Sequence, residues 1–176
     1  MFNPSHSPSN RSRTDIAAAF GVSHDALTVV YNGIDTEEFR PIPEIHRKPF
    51  RIMATASADI PLKGLDFLLR AVAKLTDQYP DLDLLIVGKL KEDGETSSLI
   101  KRLGIGARLK FVSGISTEQL VRYYAEAALV VVPSIYEGFG LPAGEAMASE
   151  VPVIATDGGA LPEVVGDSGL QVPIRN

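Results

Sequence analysis

The chain has 176 residues, of which 45% are apolar, none is cysteine, and acidic side chains leave a formal net charge of -5. That length fits one domain, or one and a part, with enough chain to bury a full core. The composition excludes disulfides, thiolate metal sites and a cysteine nucleophile, and the negative balance argues against nucleic acid as a partner, so an anionic ligand has to be held by local groups.

The first residues, Met1-Phe2-Asn3-Pro4-Ser5-His6, lack the basic-then-apolar order of a signal peptide. No later stretch approaches the ~20 apolar residues of a membrane span. A cytoplasmic protein is expected. Residues 1–49 read as a hinge or linker: a polar start, a short helix around Thr14 to Phe20, and an apolar run from Leu27 to Tyr31. The turn signal Asn32-Gly33 follows, and then Pro41, Pro43 and Pro49 favour extended chain. A short strand at Leu27 to Tyr31 has no partner of its own in the sequence, so the expectation is that its neighbour is missing from this chain.

From Phe50 onward the pattern changes. Strand-like runs at Arg51 to Ala56, Leu82 to Val87, Leu109 to Val112, Leu129 to Val132 and Val151 to Ala155 alternate with helical spacings. Leu65, Leu68, Leu69, Val72 and Leu75 mark one helix, Leu99 and Leu103 a second, and Leu120, Tyr123 and Tyr124 a third with Thr117 as its N-cap. This βαβαβ order, with near-continuous Val, Ile and Leu in the strands, predicts an α/β fold: a Rossmann-like parallel sheet with helices on both faces over residues 50–176. Ligands of such sheets bind at the carboxyl ends of the strands.

The segment after Leu129 to Val132 lies at such an end. Glu137 and Glu145, separated by seven residues, bracket Gly138-Phe139-Gly140-Leu141-Pro142. A β-branched run, a glycine turn and a helix with Pro at its first position present free backbone N–H groups. Those donors suit a phosphate, and the carboxylates suit hydroxyl groups, so a phosphorylated sugar matches both. Elsewhere the chemistry is blander. Asp81-Leu82-Asp83 sits at the amino edge of the sheet and reads as a solvated turn, and Lys89-Leu90-Lys91 as a solvated loop. His6, His24 and His46 are too scattered for a metal site, and Tyr123 and Tyr124 read as packing.

The string Glu137-Gly-Phe-Gly-Leu-Pro-Ala-Gly-Glu145, followed by Val151-Pro-Val-Ile-Ala-Thr and Gly158-Gly159-Ala-Leu-Pro-Glu163-Val-Val-Gly166, resembles the retaining glycosyltransferases of family 4, enzymes of the GT-B fold. Lys63-Gly64, Val87-Gly88, Tyr31-Asn32-Gly33-Ile34-Asp35, Phe39-Arg40-Pro41 and Ser9-Asn-Arg-Ser-Arg13-Thr-Asp15-Ile16 extend the resemblance from about Ser9 to the end. It implies the C-terminal, donor-binding half of a GT-B enzyme, with residues 1–49 as the remnant of the N-terminal domain and its linker. By the same resemblance Glu145 accepts from ribose hydroxyls, Glu137 contacts the donor sugar, and the amides of Phe139, Gly140 and Leu141 hold sugar or diphosphate. Gly138 and Gly140 let the backbone approach the ligand, Glu145 is placed in the first helical turn, and Lys63 neutralises the leaving diphosphate.

The implied reaction is metal-independent transfer of a hexose from a nucleoside diphosphate sugar, with retention and with the leaving phosphate taking the acceptor proton. No cofactor beyond the donor is expected. The acceptor, a saccharide, lipid or small molecule, would be bound by the missing N-terminal domain, which could also attach the protein peripherally to a membrane. Two departures stand out: Ser57 and Ala58 occupy positions where the family usually carries an Arg, and most of one domain and the helices after Leu170-Gln-Val-Pro173 are absent. Either Lys89 partly substitutes for the Arg, or Lys63 and the loop amides carry the charge. The alternative reading is a nucleotide-binding module without activity of its own; glycoside hydrolysis by the two carboxylates fits a helix N-terminus and a lysine less well.

Overall fold

The computed structural model describes residues 5–175. Its first elements are β1 (Ser5–Ser7), α1 (Asn10–Phe20) and β2 (Leu27–Val29). β1 and β2 pair in parallel, Ser7 opposite Val29, so the apolar run does have a neighbour within this chain. That neighbour is polar and carries no hydrophobic periodicity, and Ser7 is nonetheless buried. The helix starts four residues before the expected Thr14 because Ser9 caps it, its Oγ accepting from the Ser12 N–H at 3.0 Å.

The main sheet follows: β3 (Arg51–Thr55), α2 (Leu65–Leu75), β4 (Asp83–Val87), α3 (Glu95–Leu103), β5 (Leu109–Val112), α4 (Thr117–Glu126), β6 (Leu129–Val132), α5 (Leu141–Ala148), β7 (Val153–Thr156), α6 (Leu161–Val165) and β8 (Leu170–Val172). All six strands are parallel in the order β5-β4-β3-β6-β7-β8. The expected Rossmann-like α/β sheet is present, with β8 added beyond the predicted strands. α4 is capped by Ser116, whose Oγ accepts from the Gln119 N–H at 3.2 Å, and Thr117 is its first helical residue rather than its cap. β7 starts at Val153 instead of Val151, after Pro152, which has no N–H for the ladder.

Alternation along each strand splits the core. Met53, Val130, Val132 and Val153 face α4, α5 and α6 together with Phe39 and Tyr124. Ala54, Leu84 and Ile86 face α2 and α3 through Leu65, Leu68, Leu69, Leu99 and Ile100. At the amino edge, Asp83 opens β4 and receives the Arg51 guanidinium at 2.6 Å, while Arg51 also reaches Glu126 at 2.7 Å. The Asp81-Leu82-Asp83 segment is therefore at the predicted edge, but Asp83 belongs to an ion network and not to a solvated turn.

Candidate functional site

The chain builds the sheet outward from β3 through β4 to β5, then crosses back to lay β6 on the other side of β3. At that reversal the connections leaving β3 and β6 diverge, and a crevice opens at the carboxyl ends of the two strands. Lys63 and Glu137 sit in these two connections. After β3, residues Pro61–Lys63 form a single helical turn, closed by Gly64 at φ 61°. A Cβ on Gly64 would lie 1.9 Å from the Pro133 carbonyl oxygen, so glycine lets the two connections touch. The Ile135 N–H then donates to the Leu62 carbonyl at 2.8 Å.

This contact brings the predicted lysine and glutamate together. Lys63 Nζ donates to Glu137 Oε1 at 2.7 Å, and the same oxygen accepts from Ser134 Oγ at 2.7 Å. The Glu137 side chain is 13% exposed and that of Lys63 33%, so the carboxylate is the more buried partner of the pair. The glycine loop continues from Glu137 into α5. Gly140 adopts φ 105°, and α5 starts at Leu141 with Pro142 second, where no N–H is required. Among the described residues, the amides of Phe139, Gly140 and Leu141 donate to no acceptor. With Pro8, Asn32, Lys63 and Glu137, residues 138–142 border an open cleft of about 350 Å³.

Gly158 and Gly159 buttress this loop. A Cβ on Gly159, at φ 64°, would come within 2.2 Å of the Glu137 carbonyl, which accepts from the Ala160 N–H at 2.8 Å. Thr156 Oγ1 donates to the Ser134 carbonyl from the same side.

Glu145 is placed differently from the sequence expectation. The left-handed Gly140 cannot join the helix, so Glu145 falls in the second turn, and it does not line the cleft that holds Lys63 and Glu137. Its Oε2 accepts from the Tyr124 hydroxyl at 2.8 Å. Burial raises the Glu145 carboxyl above its ordinary value and the Glu38 charge adds to this, while the Tyr124 hydrogen bond opposes it. Burial first, and then the Glu145 charge, push the Tyr124 phenol far up, so the tyrosine stays a donor.

Sequence reasoning missed the groups that hold the loop from α1. Ser9 Oγ and Ser12 Oγ donate to the Gly138 carbonyl at 2.7 and 2.9 Å. Tyr136 donates to Asp15 at 2.8 Å. Glu163 accepts from the Asn10 and Arg11 amides at 2.9 and 2.7 Å and from the Tyr31 hydroxyl at 3.1 Å. Ser9 to Ile16, Tyr31 and Glu163 stand in the strings that carry the family resemblance, which gave these side chains no role. Ser57 is exposed and Ala58 buried at the positions expected for an Arg, and Lys89 is exposed, joined to this loop through its carbonyl, which accepts from the Ala58 N–H at 3.3 Å. Asp59 next to them, at φ 58°, accepts from the Thr96 N–H at the start of α3 at 2.9 Å.

The family model "Glycosyl transferases group 1" matches residues 35–173. An MMP alpha-(1->4)-mannosyltransferase of Mycolicibacterium hassiacum is 48% identical over 92% of this chain and 38% of its own length. The chain thus spans about two fifths of the length of the curated relatives it matches. The structure of Anabaena HepE in complex with UDP and glucose superposes with a TM-score of 0.83 at 26% identity, covering 98% of this chain and 50% of that one. The C-terminal domain of a glycosyl transferase group 1 family protein from Francisella tularensis, LpcC, superposes with a TM-score of 0.68 at 28% identity over 82% of each chain.

Proposed function

The chain belongs to the glycosyl transferases group 1 family, and from that premise we propose that it is the donor-binding half of a retaining, metal-independent hexosyltransferase that takes its sugar from a nucleoside diphosphate. Residues 50–176 form the donor domain, and residues 1–49 are the end of the acceptor domain and its linker. The observation that carries this reading is the meeting of Lys63 and Glu137, 2.7 Å apart, at the sheet's switch point, on one cleft with three loop amides that donate to no acceptor among the described residues. The amides and the Lys63 ammonium are preorganised donors for a diphosphate, and they interact more strongly as the departing group gains charge. Glu137 both orients Lys63 and can accept from donor-sugar hydroxyls. Glu145 accepts from the ribose hydroxyls, and the departing phosphate removes the acceptor proton on the face it leaves. No cofactor is required beyond the donor, and the protein works in the cytoplasm on an acceptor bound by the other domain.

Titration of the chain with UDP, GDP and ADP by calorimetry tests the reading. One of the three should bind, and Glu145→Ala should weaken it by about 1–3 kcal/mol, the cost of losing hydrogen bonds to a charged group. Failure of all three to bind rejects the donor-binding assignment, and unchanged affinity in the variant rejects the ribose role of Glu145.

A further inference from the structure

Tyr124 sits in the last turn of α4 with no exposed surface. Its ring is packed edge-on against Phe39 at 6.0 Å between centroids and 73° between planes. For packing alone a phenylalanine would serve, because a buried hydroxyl costs stability unless it is hydrogen-bonded. Here the hydroxyl emerges from the core at the second turn of α5 and donates to Glu145 Oε2 at 2.8 Å. A longer contact of 3.4 Å to the Pro142 carbonyl lies on the same side. Glu145 Oε1 accepts from no described residue.

We propose that Tyr124 is a positioning residue for ribose recognition: it fixes one oxygen of Glu145 from inside the core and leaves the other for the vicinal hydroxyls of the nucleotide. This rests on the reading of Glu145 given above. A glutamate on an open helix face samples several rotamers, and each must be frozen before two hydroxyls can bind together. The Tyr124 ring cannot move without disturbing α4 and Phe39, so the bond to its hydroxyl imposes one Glu145 geometry before the ligand arrives. The phenol also supplies a donor to a half-buried carboxylate, which keeps the charged, accepting form in place where burial works against it. The other charged group acting on Glu145 is Glu38, which opposes that form.

The test compares the tightest of UDP, GDP and ADP with its 2′,3′-dideoxy analogue, by calorimetry on the chain, in wild type, Tyr124→Phe, Glu145→Gln and the double variant. Tyr124→Phe keeps the ring and its packing, and near-ultraviolet circular dichroism checks the fold. The expected result is that wild type prefers the ribonucleotide about tenfold or more. Tyr124→Phe should lose most of that preference by weakening only the ribonucleotide, and should cost nothing further in the Glu145→Gln background. A Tyr124→Phe protein that keeps the wild-type preference overturns the positioning role and leaves the ribose role of Glu145 intact. A wild type without preference overturns that ribose role, and the proposal with it. A merely structural tyrosine would weaken both nucleotides equally.

Discussion

In the donor site proposed above, Glu137 competes with a diphosphate for Lys63 as well as orienting it. The ammonium is already 2.7 Å from a carboxylate, so a diphosphate has to share or displace that partner. Removing each side chain should therefore push nucleotide affinity in opposite directions. Lys63→Ala deletes a charge-assisted donor and leaves Glu137 facing the phosphates, and it should weaken nucleoside diphosphate binding at least tenfold while leaving the free nucleoside unaffected. Glu137→Gln retains a group that can pair with Ser134 but releases Lys63, and it should raise nucleoside diphosphate affinity by about two- to fivefold while lowering sugar transfer by the whole protein. Calorimetry with nucleoside and nucleoside diphosphate separates the cases. Equal losses for both ligands in Lys63→Ala would remove the lysine from the phosphate site.

At the scale of elements, the glycine loop is held between α6, with the turn before it, and α1. Gly159 and Ala160 close on the Glu137 carbonyl, and Ser9 and Ser12 hold the Gly138 carbonyl. Glu163 of α6 ties the two supports together by accepting from the first amides of α1, where a negative charge also complements the helix dipole. Burial alone would raise the Glu163 carboxyl, but these amides, Asn10 and Tyr31 hold it below its ordinary value. Its contribution is then complete above the unfolded carboxylate value and is lost as pH falls through the lowered folded one. Glu163→Ala should cost about 1 kcal/mol at neutral pH, the scale of a lost N-cap, and the difference from wild type should shrink toward pH 3 in urea denaturation. An unchanged difference at acid pH would mean that the carboxylate charge is not what holds α1. The segments of this brace stand in the family resemblance, but their contacts with one another were not legible in the sequence. The strand Leu129 to Val132 was legible, because a continuous apolar run marks a strand of a parallel sheet. Leu109 to Val112 was too, although as the edge strand it keeps Lys110 exposed, and the loop was, because glycines and a proline punctuate it. β1 was hidden because a Ser-His-Ser strand has no apolar period. The Ser9 and Ser12 hydroxyls were hidden because their target is a backbone carbonyl more than a hundred residues away. Tyr124 was read as packing, which is right for its ring and silent about its hydroxyl.

Across the whole molecule the two faces of the sheet are filled unequally. Val130 and Val153 face α4, α5 and α6 and are buried. The opposite face is covered by α2 and α3 over β3, β4 and β5, but beside α2 an apolar groove of about 230 Å³ runs over β6, β7 and β8, lined by Ile52, Val131, Ile154 and Val172. Neighbouring valines of one strand thus meet different surroundings: Val130 touches a packed layer, and Val131 one that is open on one side. Parallel sheets are normally buried on both faces, which is why the sequence reads Leu129 to Val132 as uniformly apolar and cannot distinguish the two positions. The structure can. Val130→Ala deletes two methyl groups from a filled site and should cost about 2 kcal/mol, transfer and cavity terms together, whereas Val131→Ala should cost under about 1 kcal/mol because its groove wall is already open. Urea denaturation of both variants of this chain gives the comparison directly. Equal losses would show that a packed layer covers Val131 in solution and that the groove is closed there.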